Sequence, residues 1–181
     1  MFYLSLKLVP SLGFLITNHL KYIYPILIFS SVLMPLLSVL LLIRKNFVSS
    51  LEMSDYKERR LPLLITALWM VYGYYMLSDI FILCPILRSE FLGAIIIIVL
   101  AAAISKYWKI SLHMLGLGGA VGVLFGLNIL FGGLFKTIGL FILLSGLLGA
   151  ARLNLKAHTN TQIYIGFLIG FFIEASVILF F

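Results

Sequence analysis

Charge is what this chain has least of. Of its 181 residues only 10% are charged, and just 6 are Asp or Glu. Soluble domains usually carry about a quarter of their residues as charges. A soluble chain of this length also has too much surface relative to volume to hide a hydrophobic fraction of 63%. The scarcity of charge therefore excludes an ordinary soluble domain, and a hydrocarbon surrounding accounts for both figures. Cysteine is nearly missing as well. Cys84 is alone, which excludes an internal disulfide and a cysteine-rich metal centre. No basic soluble module is present to hold nucleic acid, although the net charge is +7. In a membrane protein that excess reads as loop cations meeting anionic headgroups.

What is present is a succession of long apolar runs. A crossing takes about 20 apolar residues at 1.5 Å each. Charged breaks divide the chain into six expected spans, at 22–43, 61–83, 91–105, 111–131, 134–150 and 161–181. The fold class expected is all-α, a polytopic transmembrane helical bundle with about six main spans. It forms one integral-membrane domain over 1–181, and the expected location is a bacterial inner or plasma membrane. Residues 1–20 read as a short interfacial or partly inserted segment, because Pro10, Asn18 and His19 interrupt their apolar run.

Glycine is concentrated in the second half. Gly118, Gly122 and Gly126 recur every four residues, as do Gly166 and Gly170, and small residues at that spacing let helices approach closely in lipid. GLGG at 116–119 follows no strand and precedes no Walker lysine, so it is not a nucleotide loop.

The longest polar stretch runs from Arg44 to Arg60. Within it Asp55 and Glu58 have the spacing of a capping box that would open the second span. Alternating spans bring 44–60, 105–110 and 151–160 to one face. Most of the 13 basic residues belong there, leaving only Lys7, Lys21, Arg88 and Lys136 opposite. An anion-binding site has this appearance, and so has a cytoplasmic face under the positive-inside rule.

Two histidines share that face. His113 stands in KISLH (109–113) and His158 ends ARLNLKAH (151–158). One imidazole can attack phosphorus while another protonates the leaving oxygen. Guanidinium and ammonium groups would hold the phosphate oxygens. This chemistry calls for no metal and no cofactor.

ISLH (110–113) resembles the Pro-Ser-Gly-His motif of the type 2 phosphatidic acid phosphatase and haloperoxidase superfamily. ARLNLKAHTNTQ (151–162) resembles its Ser-Arg-x5-His-x3-Asp motif, with Arg152 and His158 at the family separation. The likeness covers residues 50–175. It implies a membrane lipid phosphatase in which His158 is the nucleophile and His113 the general acid. Arg152, Ser111, Lys57, Arg59 and Arg60 would bind phosphate. Gln162 stands where the family has the aspartate that supports the nucleophile. The Lys-x6-Arg-Pro motif has no clean match, since Leu61 separates Arg60 from Pro62. The implied partners are the bilayer and a lipid phosphate or isoprenoid diphosphate.

Two other readings stay open at this point. One is a catalytically degenerate member that serves as a lipid-binding or assembly subunit, with Glu174 as a buried packing or partner contact or paired with Lys21 or Lys136. The other is a metal-dependent transferase in which Glu52, Asp55 and Glu58 chelate Mg²⁺.

Overall fold

A computed structural model describes residues 19–51, 53 and 55–180. The expected segment 1–20 and Glu52 lie wholly or mostly outside the described residues. Helices and short connections make up all that is described, and no strand occurs among the described residues.

The first helix, α1, runs from Leu20 to Arg44. It contains Pro25 and a π-helical turn over Phe29–Leu33. Proline removes a donor and crowds the preceding turn, and serine hydroxyls along this helix add bonds to carbonyls one turn back. Ser30 Oγ donates to the Ile26 carbonyl at 2.7 Å, and Ser38 Oγ to that of Met34 at 2.8 Å. The helix ends in a Schellman motif with Asn46 left-handed (φ 58°). There the Phe47 amide donates to Leu42 O and the Asn46 amide to Ile43 O.

Asp55 caps a 3-10 turn at Tyr56–Arg59 by accepting the Lys57 amide N–H at 2.9 Å. The turn leads into α2, Arg60–Met76. The expected capping box is half made. Glu58 does not reach back to Asp55 but takes the amide and hydroxyl of Ser49, at 3.0 and 2.7 Å.

The expected second span, 61–83, is not one helix. It breaks at Leu77 (φ −95°, ψ 5°), and α3 follows at Ser78–Leu83. The expected third span, 91–105, starts earlier and forms α4, Pro85–Ile104. Cys84 adopts the extended backbone that a following proline imposes, and Pro85 supplies the fixed φ suited to a first helical position. Arg88 and Glu90 marked a break in the sequence, but the helix runs through both.

Three helices complete the chain: α5 (Leu112–Phe131), α6 (Phe135–Asn154) and α7 (Asn160–Phe180). Five helices are long and apolar enough to cross a membrane: α1, α4, α5, α6 and α7. Their outer surfaces are apolar, with Leu40, Ile142, Leu143, Leu147 and Phe172 all exposed.

The closest packing in the bundle joins α5 to α7. A Cβ at Gly118 would strike the carbonyl of Phe167, and one at Gly170 the carbonyl of Leu115. One at Gly122 would meet Phe171 O. The glycine spacing thus serves the helix contact it suggested. A separate cluster (Ile23, Leu77, Phe81, Leu87 and Phe91) joins α1 to α4 around the Leu77 break and also buries Cys84.

Candidate functional site

The connections after α1, α4 and α6 meet at one end of the bundle. They enclose a cleft of about 880 Å³ lined by Met53, Arg59, Lys109, His113, Arg152 and His158. Val39, Leu63, Leu112 and Leu155 contribute apolar wall.

Arg152 and His158 meet because of how α6 stops. Lys156 turns left-handed (φ 50°). The Ala157 amide then donates to the Arg152 carbonyl at 3.1 Å, and the Lys156 amide to Leu153 O at 2.9 Å. These are the two bonds of a Schellman motif. The six-residue step from Arg152 to His158 is therefore the return of the chain over its own last turn.

The start of α7 orients the imidazole. Thr159 and Gln162 form a capping box, in which the Gln162 amide donates to Thr159 Oγ1 (3.4 Å) and Thr159 N–H to Gln162 Oε1 (3.1 Å). A backbone N–H can only donate, so the amide atom facing it is the oxygen. That oxygen also lies 3.1 Å from His158 Nδ1. In the neutral ring the proton therefore belongs on Nδ1, and Nε2 keeps its lone pair.

His158 is half-buried, and burial is the chief reason its imidazole is held below the usual value. The bond from Gln162 pulls the other way, while Arg59, Lys109 and Arg152 add to the lowering. Arg59 is also lowered, first by burial and then by Arg152. An arginine starts so high that it stays charged. Its Nε donates to the Met53 carbonyl at 3.0 Å, which fixes the side chain at the mouth.

His113 opens α5 within reach of Arg152. One guanidinium nitrogen of Arg152 lies 2.8 Å from Nδ1 and 2.6 Å from Nε2 of His113. One nitrogen cannot make two good bonds to both ring atoms, so the guanidinium lies across the ring edge. Arg152 Nε is buried without a partner.

The remaining expected phosphate ligands are placed elsewhere. Lys57 and Arg60 are exposed and do not line the cleft. Ser111 is fully buried, with its hydroxyl unpartnered and its carbonyl against Gly166. Gln162 stands behind His158 and not on the lining. Lys109, counted earlier only among the cations of that face, does line the cleft. Its position four residues before His113 was the available signal, and a weak one. Asp55 and Glu58 are engaged in capping and in holding Ser49.

Among the described residues the lining carries three cations and two imidazoles, and no carboxylate. Such a lining suits an anion, and one imidazole nitrogen is free to act as a nucleophile or acceptor. No protein-family model, curated protein or solved structure matches the chain.

Proposed function

We propose that this is an integral-membrane phosphatase of lipid phosphates or diphosphates, a divergent member of the type 2 phosphatidic acid phosphatase superfamily. The observation that carries the reading is His158, with Nδ1 on Gln162 and Nε2 available, in a cleft shared with Arg59, Lys109, Arg152 and His113. In this reading α2 and α3 together make a sixth crossing.

The head of the lipid enters the cleft while its acyl or prenyl tail stays beside the apolar wall. Phosphate oxygens draw the Arg152 guanidinium away from His113, and Arg59 and Lys109 add charge-assisted bonds. His158 Nε2 attacks phosphorus and the phosphorus–oxygen bond to the lipid breaks. The leaving oxygen takes its proton from His113, which the withdrawal of Arg152 has allowed to charge. Water then attacks the phosphohistidine and gives its proton to His113, releasing inorganic phosphate and restoring His158. The Gln162 amide keeps the ring oriented but cannot balance the charge of an imidazolium as a carboxylate does, so turnover is slow.

A second reading is favoured by the same amide and by Arg152 resting on His113: a lipid-phosphate-binding subunit without turnover. Phosphate release from a panel of lipid phosphates and diphosphates decides, measured on purified protein with EDTA beside a His158→Ala control. Release that survives EDTA and is lost in the variant supports the phosphatase. Binding without release supports the subunit. Release that EDTA abolishes rejects the histidine mechanism.

A further inference from the structure

A second cavity lies deep in the bundle, away from the cleft. It has a volume of about 370 Å³ and is bounded by α1, α2, α4, α5 and α7. Two carboxyl groups line it, Glu90 and Glu174, among Phe91, Met70, Leu87 and other apolar side chains. Glu90 and Glu174 are equally far along α4 and α7 from the basic end, about 21 Å of helical rise. Glu174 is 5% exposed and its Oε2 has no hydrogen-bond partner. Three glycines make room for it: its carboxylate lies against Gly93, its Cγ near Gly119 and its Cβ near Gly122. At the rim, exposed Gly116 has open space beside it.

An ionised carboxylate in apolar surroundings needs a compensating charge. The described residues lining this cavity include no Lys, Arg or His, and neither Lys21 nor Lys136 reaches it. The cavity is far larger than a bare metal ion, and it offers few oxygens to replace a hydration shell. Ser31, the only hydroxyl among the described lining residues, already donates to the Leu27 carbonyl. Its size and its mainly apolar wall suit a small organic molecule.

The geometry points to a binding site for an amphipathic amine, a protonated nitrogen on a hydrocarbon body, entering from the lipid. The nitrogen sits at the unpartnered Oε2 of Glu174, and the hydrocarbon lies along Met70, Phe91 and Ile98. This site is independent of the phosphatase reading, and neither stands or falls with the other.

The test is the melting temperature of the full chain in a neutral maltoside detergent with octylamine, octanol or sodium chloride added. Octylamine is expected to raise it, while octanol at the same concentration does not. In Glu174→Gln the octylamine concentration for half the shift should rise at least about tenfold. Equal shifts from amine and alcohol would mean an unselective apolar hole and overturn the proposal. So would a shift from sodium chloride alone, which assigns an inorganic cation, or no shift from any of the three. Should Glu174→Gln fail to fold, the amine–alcohol comparison on the native chain still decides, with Glu174→Asp as the second variant.

Discussion

Nδ1 of His158 faces Oε1 of Gln162 at 3.1 Å, one helical turn apart, and the same oxygen receives the Thr159 amide. The contact ties the protonation of a ring nitrogen to the cap of a helix. A side chain chosen only to start α7 would do half of this, and one chosen only to hold an imidazole would do the other half.

Gln162→Glu keeps the reach of the side chain and its bond to Thr159, and adds a negative charge. The His158 imidazole should titrate higher, and phosphate release should rise roughly tenfold or more, by analogy with the cost of the reverse change in a His–Asp pair. Gln162→Leu removes the acceptor and should lower release. Nitrogen chemical shifts of His158 read the first effect and phosphate assays the second. An unchanged titration in Gln162→Glu would show that the contact is not made in solution.

Acid should weaken both fold and activity through His158. Its folded value lies below the usual imidazole value of about 6.5. Between the two values the unfolded chain binds more protons, so stability rises with pH there. It is fully present above the usual value and is lost as pH falls toward the folded one. The nucleophile stays neutral at neutral pH, so release should decline on the acid side as His158 takes up a proton, and on the alkaline side as the general acid His113 loses its own. Arg59→Met removes one of the lowering charges, so the acid limb of the profile should move up in pH.

Arg152→Gln should reduce turnover about 100-fold, the scale for losing one donor to developing charge. Arg152→Lys should recover only part of it, because an ammonium lacks the planar fork. Lys57→Ala and Arg60→Ala should stay close to wild type, since neither side chain lines the cleft. Steady-state kinetics on one lipid phosphate compares all four.

Gly118→Ala and Gly170→Ala each drive a methyl into a backbone carbonyl of the facing helix. Backbone cannot yield cheaply, and each change should cost about 1–3 kcal/mol or more. Gly146→Ala, whose new methyl meets nothing within 4 Å, should be neutral or stabilising. Thermal melts in detergent followed by circular dichroism separate the two classes.

Lys156 occupies a left-handed position that favours glycine. Lys156→Gly should stabilise the chain by about 1 kcal/mol and leave the cleft intact, because the Lys156 side chain does not line it. The same melts, with a phosphate assay beside them, check both statements.

Much of this arrangement is legible along the chain. The expected runs at 111–131, 134–150 and 161–181 correspond to α5, α6 and α7, where glycine and polar breaks coincide with real turns. Arg152, His113 and His158 come together as their spacing suggested. The second and third runs were misdivided because Arg88 and Glu90 look like a loop, while the true stops are Leu77 and the Cys84–Pro85 pair. A charge pattern cannot show that Glu90 is accommodated inside the bundle. Ser111 could be placed beside His113 but not oriented, since one residue decides whether a hydroxyl at a helix start points inward or out. Thr159 and Gln162 have the spacing of a capping box in the sequence, at the same position where the resembled family has its aspartate. The nearness of Glu90 to Glu174 has no local signal, because it depends on the packing of α4 against α7.

The glycine seam between α5 and α7 has one further consequence. His113 begins one of these helices, and His158 immediately precedes the other. Their separation is therefore set largely by two backbones in contact, with the turn after α6 fixing where His158 enters. The opposite wall, Val39 on α1 with Leu63 and Thr66 on α2, belongs to helices outside that seam. In the proposed phosphatase the two imidazoles would stand by the glycine seam, and the apolar wall that would meet a lipid chain would belong to helices outside it. Under that proposal, substitutions along α1 and α2 should retune which tails are accepted while the distance between the two imidazoles stays the same.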